Sequence, residues 1–186
     1  LPPEPPAAVE LRSAAARRGT PVRAPVQGAS IRIGDLTVEV LHPPPGRPYR
    51  YAASERNESS LVLRVHHRGA RVLLPGDIER EAQSRLLAER PHQLRADVLA
   101  VPHHGAGTTE PAFLAAVDAT VALISVGAEN PHGHPHADVL TALAAVGTRV
   151  HRTDLDGTVV VTVPAGGLSR QAGGGPNGED HPATFV

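Results

Sequence analysis

The order of apolar and polar positions along the chain predicts strands first, and then strands that alternate with helices. Short apolar or alternating segments bounded by Gly, Pro and Asp are typical of strands. They fall at residues 21–26, 30–33, 36–41, 59–65, 70–75, 97–101, 120–126, 148–151 and 158–163. Longer segments rich in helix-forming residues predict helices at residues 7–18, 78–90, 110–117 and 137–146. Strands that alternate with helices after a β-rich start favour a layered α/β fold over a β-sandwich.

Proline and glycine mark the borders of the predicted domain. The loop at residues 42–57 is too rich in proline to join the centre of a sheet, and a loop of this length is functional or a mobile flap. From residue 165 the composition turns to Gly, Ser, Pro and Asn, which predicts a disordered tail at residues 165–186. The predicted domain therefore spans residues 1–164.

Composition and charge exclude several classes of protein. The chain has no Cys, Lys, Met or Trp, which rules out disulfides, thiolate metal sites, a cysteine nucleophile and a phosphate loop with lysine. A formal net charge of -1 and an aromatic content of 2% argue against a strongly electrostatic DNA binder and against a stacking platform for single strands. No run of about 18 apolar residues is present to span a membrane. Because methionine is absent, we expect the chain to be a piece of a longer protein.

An aspartate follows the predicted strand at residues 70–75. Gly76 allows a sharp turn that delivers Asp77 to the carboxyl end of the strand, the edge at which open α/β sheets bind ligands. The alternative interpretation is structural, because Asp77 precedes the helix at residues 78–90 and could cap its first amides. The two roles do not exclude each other.

Two adjacent histidines follow the next buried strand, at residues 97–101. The side chains of His103 and His104 diverge, so one imidazole can face a site while the other supports it or faces water. Neutral imidazole suits Zn, Mn, Fe or Ni, and a carboxylate such as Asp77 can bridge two such ions. The alternative is a pair of surface histidines in a loop.

A third histidine cluster follows the strand at residues 120–126. His132, His134 and His136 alternate with Pro and Gly and could chelate a metal locally. The alternative is a polar loop in which His136 caps the next helix. Because lysine, cysteine and a Gly-x-Ser-x-Gly elbow are absent, a water activated by a metal with Asp and His ligands is the chemistry that remains.

Taken in order, several of these segments resemble the metallo-β-lactamase-fold domain of ComEC-type competence proteins. The segments are NESSLVL (57–63), LLPGD (73–77), DVLAVPHHG (97–105), ISVG (124–127), Asn130 with GHP (133–135), and RTD (152–154) with Gly157. The resemblance extends from about residue 28 to residue 163. One departure is Ala106, where the family usually has serine after His-His-Gly.

The resemblance implies a layered αββα metallo-β-lactamase-like fold, of which this chain holds the C-terminal part only. By resemblance, Asp77 bridges two divalent metal ions, Zn or Mn, and one of His103 and His104 is a terminal ligand. His103 is preferred because it is nearer to the strand end. Asn57 falls where many relatives carry a histidine ligand, and His134 lines the site. The family's His-x-His/Asp-x-Asp-His cluster does not occur upstream of Asn57, so most ligands of the two ions would come from outside this chain.

The resemblance also implies a function. ComEC-type proteins move single-stranded DNA inward during transformation, and this domain would be a metal-dependent hydrolase, a DNase that degrades the other strand. The implied partners are DNA, the N-terminal part of the same domain and a membrane channel. The parent protein is expected in the bacterial cell membrane, with this domain soluble and on the outer face, and the chain alone is expected to be inactive.

Two other functions remain open. One is a stand-alone hydrolase of the same fold that acts on another phosphodiester or ester. The other belongs to a different class: a degenerate, metal-free module that binds DNA or a partner.

Overall fold

The computed structural model describes residues 6–46 and 56–162, which form one seven-stranded sheet with helices packed on it. The strands are β1 (Ser30–Ile33), β2 (Leu36–His42), β3 (Val62–His67), β4 (Ala70–Leu74), β5 (Val98–Ala100), β6 (Val121–Ile124) and β7 (Arg149–Arg152). They lie in the sheet in the order of the sequence. The pairs from β1 to β4 are antiparallel, whereas those from β4 to β7 are parallel.

Helices connect the parallel strands. The described helices are α1 (Pro6–Arg17), α2 (Arg80–Glu89), α3 (Pro91–Leu94), α4 (Pro111–Val117), α5 (Ala137–Ala145) and α6 (Thr153–Asp156), with a short 3₁₀ turn at Pro102–Gly105. The crossovers contain α2, α4 and α5, and α4 contacts both of the others. Right-handed crossovers that advance in one direction place their helices on one face of the sheet. This layer of helices on a sheet confirms the layered α/β prediction.

The hydrophobic core lies between this helix layer and the sheet. Leu73 of β4, Leu99 of β5 and Ile124 of β6 pack in one cluster with Phe113 of α4 and Leu143 of α5, and all are almost fully buried. Burial of each such side chain contributes roughly 1.5–3 kcal/mol to stability. Core packing therefore fixes the strands whose carboxyl ends carry the candidate site residues.

The other face of the sheet is also apolar. A row of paired aliphatic residues, which we call the aliphatic row, crosses six strands and consists of Ile31, Val38, Val65, Val72, Val98 and Val121. Val98 and Val121 are buried, whereas Ile31, and Ile33 in the neighbouring row, are 56% and 65% exposed. Aliphatic residues on both faces are typical of sheets that are buried on both sides. An αββα arrangement needs a second sheet against this face, and residues 6–46 and 56–162 supply one sheet.

Near the start of the chain, one predicted element is confirmed and one is wrong. The helix predicted at residues 7–18 is observed as α1. The strand predicted at residues 21–26 does not form, because Pro21 and Pro25 have no amide hydrogen to give to a strand ladder.

The strand predicted at residues 158–163 is also wrong as far as the structure describes it, because residues 158–162 have no regular structure. After β7 the chain turns into α6, where the Asp156 carboxylate accepts a hydrogen bond from Arg152 N at 2.9 Å. Gly157 then turns the chain away with a φ of +67°. The predicted tail at residues 165–186, and part of the loop predicted at residues 42–57, lie outside the described residues.

Candidate functional site

The carboxyl ends of three neighbouring parallel strands meet at one edge of the sheet. Asp77 follows β4, the turn with His103 and His104 follows β5, and the loop with His134 follows β6. Adjacent parallel strands deliver the residues that follow them to the same edge. Four candidate side chains therefore share this edge.

The turn after β5 holds its two histidines in an unusual backbone conformation. His103 and His104 have φ values of 46° and 57°, in the left-handed region that costs residues other than Gly on the order of 1–3 kcal/mol. The amide of His103 donates to Gly76 O at 3.1 Å, and Gly105 O accepts from His136 N at 2.8 Å. These hydrogen bonds join the turn to the segments after β4 and β6, and they hold the strained conformation in place.

His104 is directed at Asp77. Its Nδ1 lies 2.6 Å from the carbonyl oxygen of Ser125, which can only accept, so Nδ1 carries the proton. The lone pair is then on Nε2, 4.0 Å from Asp77 Oδ1. Two ligand atoms that each lie ~2.1 Å from a tetrahedral ion are roughly 3.4 Å apart. A small movement would therefore bring His104 and Asp77 to the separation of two ligands of one ion.

His103 faces a different carboxylate. Its Nδ1 lies 3.3 Å from Glu79 Oε1. The ring packs edge-to-face against the rings of His104 and His134, with centroid distances of 6.3 and 5.7 Å. His103 therefore sits between a carboxylate and a cluster of imidazoles.

His134 is held in its neutral form by its surroundings. Burial lowers the pKa of His134, and the positive charges that His103 and His132 can carry lower it further. The rings of His134 and His132 stack with centroids 5.9 Å apart, and Asn130 Nδ2 donates to His134 O at 2.7 Å. Neutral imidazole is the form that ligates a metal or accepts a proton.

A cleft of about 640 Å³ opens beside this cluster. Its lining includes His104, Ser125, Asn130, His132, His134 and Thr153. Thr153 Oγ1 accepts from Val126 N at 2.8 Å and lies 2.7 Å from Val126 O, which fixes one wall. Ligand sites in proteins commonly enclose about 300–1,000 Å³, so the cleft can admit a small molecule or a short part of a polymer.

The described residues do not form a metal site by themselves. Within residues 6–46 and 56–162, no three His, Asp or Glu side chains converge closely enough to hold an ion. Asp77, His103, His104 and His134 offer carboxylate and imidazole donors of the kind that Zn and Mn accept. A catalytic zinc ion commonly takes three protein ligands. These donors therefore fit such a metal by their chemistry, and they would supply only a fraction of its coordination.

The interpretation of Asp77 as a helix cap is wrong. The N-cap residue of α2 is Glu79, and its side chain makes no capping hydrogen bond. The first amides of the helix, those of Glu81 and Ala82, donate instead to the carboxylate of Glu58 at 2.9 and 2.7 Å. The Asp77 carboxylate is therefore not needed to begin α2.

The interpretation of His136 as a helix cap is confirmed. His136 is the N-cap of α5, and its Nδ1 accepts from Asp138 N at 3.4 Å. That nitrogen serves the helix, so the local chelation that the spacing of His132, His134 and His136 suggested has one donor fewer.

Comparison with curated proteins finds several relatives. Over 151 residues, 81% of the chain, it is 35% identical to ComE operon protein 3 of Bacillus subtilis, of which it covers 19%. Over 126 residues, 67% of the chain, it is 33% identical to Competence protein ComA of Neisseria gonorrhoeae, of which it covers 18%. This chain belongs to the ComEC family. A match to Recombination protein 2 of Haemophilus influenzae, 34% identical over 118 residues, agrees with that assignment. No family model matches the chain.

This ComEC-family chain spans less than a fifth of the length of the curated relatives it matches. The resemblance drawn from its ordered segments is thereby confirmed at the level of the family. In the part of the chain that the structure describes, no helix combines the length and the apolar character needed to cross a membrane.

Asn57 has a partner that sequence reasoning missed. Its Nδ2 donates to Glu79 Oε1 at 2.8 Å, so Asn57 contacts the carboxylate that faces His103. The sequence signal for Glu79 was its position two residues after Asp77, at the start of a helix. Ser125 gave no signal in the sequence, because it contributes a backbone carbonyl and any residue could do so.

Proposed function

We propose that this ComEC-family chain supplies part of a metal-dependent hydrolase site in a protein that takes up DNA during transformation. The observation that carries the proposal is the approach of His104 Nε2 to Asp77 Oδ1 at 4.0 Å, with the opposite nitrogen of His104 bound by Ser125 O. A histidine whose second nitrogen donates to a carbonyl or carboxylate is the usual form of a metal ligand. The family supports the biological setting, since one relative is named a competence protein.

In this proposal Asp77 and His104 would be among the ligands that hold two divalent ions, Zn or Mn. The sequence preferred His103 as the terminal ligand, and the geometry supports His104 as well, because His104 Nε2 lies 4.0 Å from Asp77 Oδ1. When bound, the ions would supply an acidified water and polarise a phosphodiester. The remaining ligands would come from residues outside those described.

The substrate that we propose is DNA, with its phosphodiester in the cleft beside His104 and His134. His134, whose pKa is lowered by burial and by neighbouring imidazoles, can take up a proton at the wall of the cleft. A chain with a formal net charge of -1 has little electrostatic affinity for DNA of its own. We therefore propose that the rest of the protein, a membrane channel with this domain on the outer face, brings the DNA to the site.

The test uses the complete protein, with metal content measured by elemental analysis after dialysis and DNA cutting measured on a plasmid. Asp77→Asn keeps the size of the side chain but removes the charge that holds two cations together, so both metal content and cutting should fall by orders of magnitude. His104→Ala should reduce both as well. The matched control is His92→Ala, which removes an exposed imidazole on α3 and should change neither.

Other results would favour the other functions. Metal-dependent hydrolysis of small esters without any cutting of DNA would favour a hydrolase with another substrate. A complete protein that retains no metal and still binds DNA would favour the metal-free binding module.

A further inference from the structure

Glu79 places a carboxylate behind His103. The Glu79 side chain is 19% exposed, and its Oε1 lies 2.8 Å from Asn57 Nδ2 and 3.3 Å from His103 Nδ1. That imidazole nitrogen is buried and has no aligned hydrogen-bond partner among the described residues. Buried polar atoms are rarely left unpaired, and hydrogen bonds in active sites are often long before the ligand is bound. A small rotation of either side chain would complete a hydrogen bond between His103 Nδ1 and Glu79 Oε1.

The carboxylate of Glu79 is available because another residue begins the helix. Glu79 is the N-cap of α2 by its backbone, yet its side chain does not cap, since Glu58 accepts from the first amides. Ile78, the residue before Glu79, is fully buried and so fixes the chain at the start of the helix. Asn57 holds Oε1 from the same segment that carries Glu58. Glu58 thus leaves the carboxylate of Glu79 free from capping, and the adjacent Asn57 fixes the direction of that carboxylate.

We propose that Glu79 is a positioning residue for His103. It holds His103 as the Nδ1–H tautomer, so that Nε2 carries the lone pair at the edge of the sheet shared with His104 and His134. A carboxylate behind an imidazole fixes the ring and raises the basicity of the opposite nitrogen. Asn57 then serves the same arrangement by holding Glu79. The consequence for metal binding rests on the proposed function, whereas the tautomer of His103 does not.

The two adjacent histidines are therefore oriented by different groups. His104 donates to a neutral carbonyl, that of Ser125, while His103 faces a charged carboxylate. A charged acceptor makes a hydrogen bond about twice as strong as a neutral one. An aligned hydrogen bond to Glu79 would therefore fix the tautomer of His103 more firmly than the carbonyl of Ser125 fixes that of His104.

The first experiment reads the tautomer directly. Histidine in the metal-free complete protein is labelled with 15N, and long-range 1H–15N correlations report which ring nitrogen carries the proton. We expect Nδ1–H at His103 in the wild type, a partial shift toward Nε2–H in Glu79→Gln, and a larger shift in Glu79→Ala. Asn57→Ala should give a shift between wild type and Glu79→Ala. The control, Glu81→Gln, removes an equal charge from the first turn of the same helix and should leave the tautomer unchanged.

The second experiment measures metal affinity and turnover in the same proteins. We expect Glu79→Gln and Glu79→Ala to weaken metal binding by about 10- to 100-fold, as loss of an orienting partner does. At saturating metal the variants should lower kcat for DNA cutting and leave KM unchanged. Thermal denaturation should show that Glu79→Gln remains folded.

The outcomes separate this inference from the proposed function. If His103 keeps the Nδ1–H tautomer in Glu79→Ala, the positioning role is wrong whether or not the protein cuts DNA. If the tautomer shifts as expected but the wild type binds no metal, the positioning role stands and the hydrolase proposal fails. If Glu81→Gln shifts the tautomer as much as Glu79→Ala does, the effect is one of general charge and the positioning role is again wrong.

Discussion

A side chain at position 105 would collide with the loop that carries His134. A Cβ added to Gly105 would lie 2.7 Å from Pro135 Cβ, and the φ of Gly105 is +79°. We expect Gly105→Ala to lower the free energy of unfolding by roughly 1–3 kcal/mol, through both the clash and the strained backbone. Urea denaturation measures this loss. The control is Gly107→Ala, whose added Cβ would meet His136 at an ordinary 3.4 Å. An equal loss in the two variants would contradict the argument.

The lowered pKa of His134 makes the stability of the metal-free protein sensitive to acid. Burial and neighbouring imidazoles disfavour the His134 cation in the folded state. Below the usual histidine pKa of about 6.5, the unfolded chain takes up this proton more readily than the folded chain. Stability should therefore fall as the pH drops from there toward the folded pKa, and His134→Gln should flatten this fall. Denaturation midpoints measured between about pH 7 and pH 5 test it, with the exposed His92→Gln as control. The same slope in both variants would speak against the role of His134.

At the residue scale, the sequence predicted which side chains meet but not how they are oriented. Asp77, His103 and His104 could be placed at one edge because apolar segments that alternate with helices predict parallel strands. The orientation depends on which neighbouring turn supplies an acceptor. His104 Nδ1 lies 2.6 Å from Ser125 O and His103 Nδ1 lies 3.3 Å from Glu79 Oε1, and neither contact follows from spacing along the chain.

At the scale of the elements, the start of α2 is capped by Glu58, a residue more than 20 positions earlier in the chain. The Glu58 carboxylate accepts from the amides of Glu81 and Ala82, which have no acceptor within the helix. We expect Glu58→Ala to cost about 1 kcal/mol of stability, as loss of a helix cap does. Glu58→Gln should cost less, because the amide oxygen can still accept. Thermal denaturation of both variants measures the difference, and a Glu58→Ala protein as stable as the wild type would show that the cap is not needed.

The elements that the sequence predicted well are those formed by an uninterrupted run of apolar residues that become buried. The apolar segments that became β4, β5 and β6 are bounded by Gly, Pro or polar residues, and each of these strands lies between two others in the sheet. Elements that depend on particular contacts were missed. α6 is one, since its four residues show no apolar period and Asp156 ties it back to Arg152. The segment at residues 21–26 failed for the opposite reason: its apolar residues suit a strand but its prolines do not.

At the scale of the whole molecule, residues 6–46 and 56–162 form one sheet and present too few converging donors for two ions. Asp77, His103, His104 and His134 do not make complete coordination shells for two metals, each of which needs about three protein ligands. We therefore expect residues 1–186 alone to bind metal weakly and below one ion per chain, and not to cut DNA. A chain extended upstream to include the His/Asp cluster of the family should bind about two ions and cut DNA.

The measurements are elemental analysis after dialysis and plasmid cutting, made on both proteins side by side. Tight binding of two ions by the short chain, or metal-dependent cutting by it, would mean that the loop at residues 132–136 completes the site by itself. The extended protein with His104→Ala is the control, since it keeps the added segment and loses one donor.

The aliphatic row has a consequence for the order of folding. Its members come from six strands and from positions as far apart as Ile31 and Val121, so the row exists only after β1 to β6 have paired. A layer that packs on this face therefore contacts a sheet that has already formed, because no single segment of the chain presents the whole row. Because contacts between distant residues form slowly, docking of a further layer becomes a late step that waits for all the others. Val72 lies in the middle of the aliphatic row. A proline at this position would therefore weaken β4 and also disrupt the apolar surface on which a further layer packs.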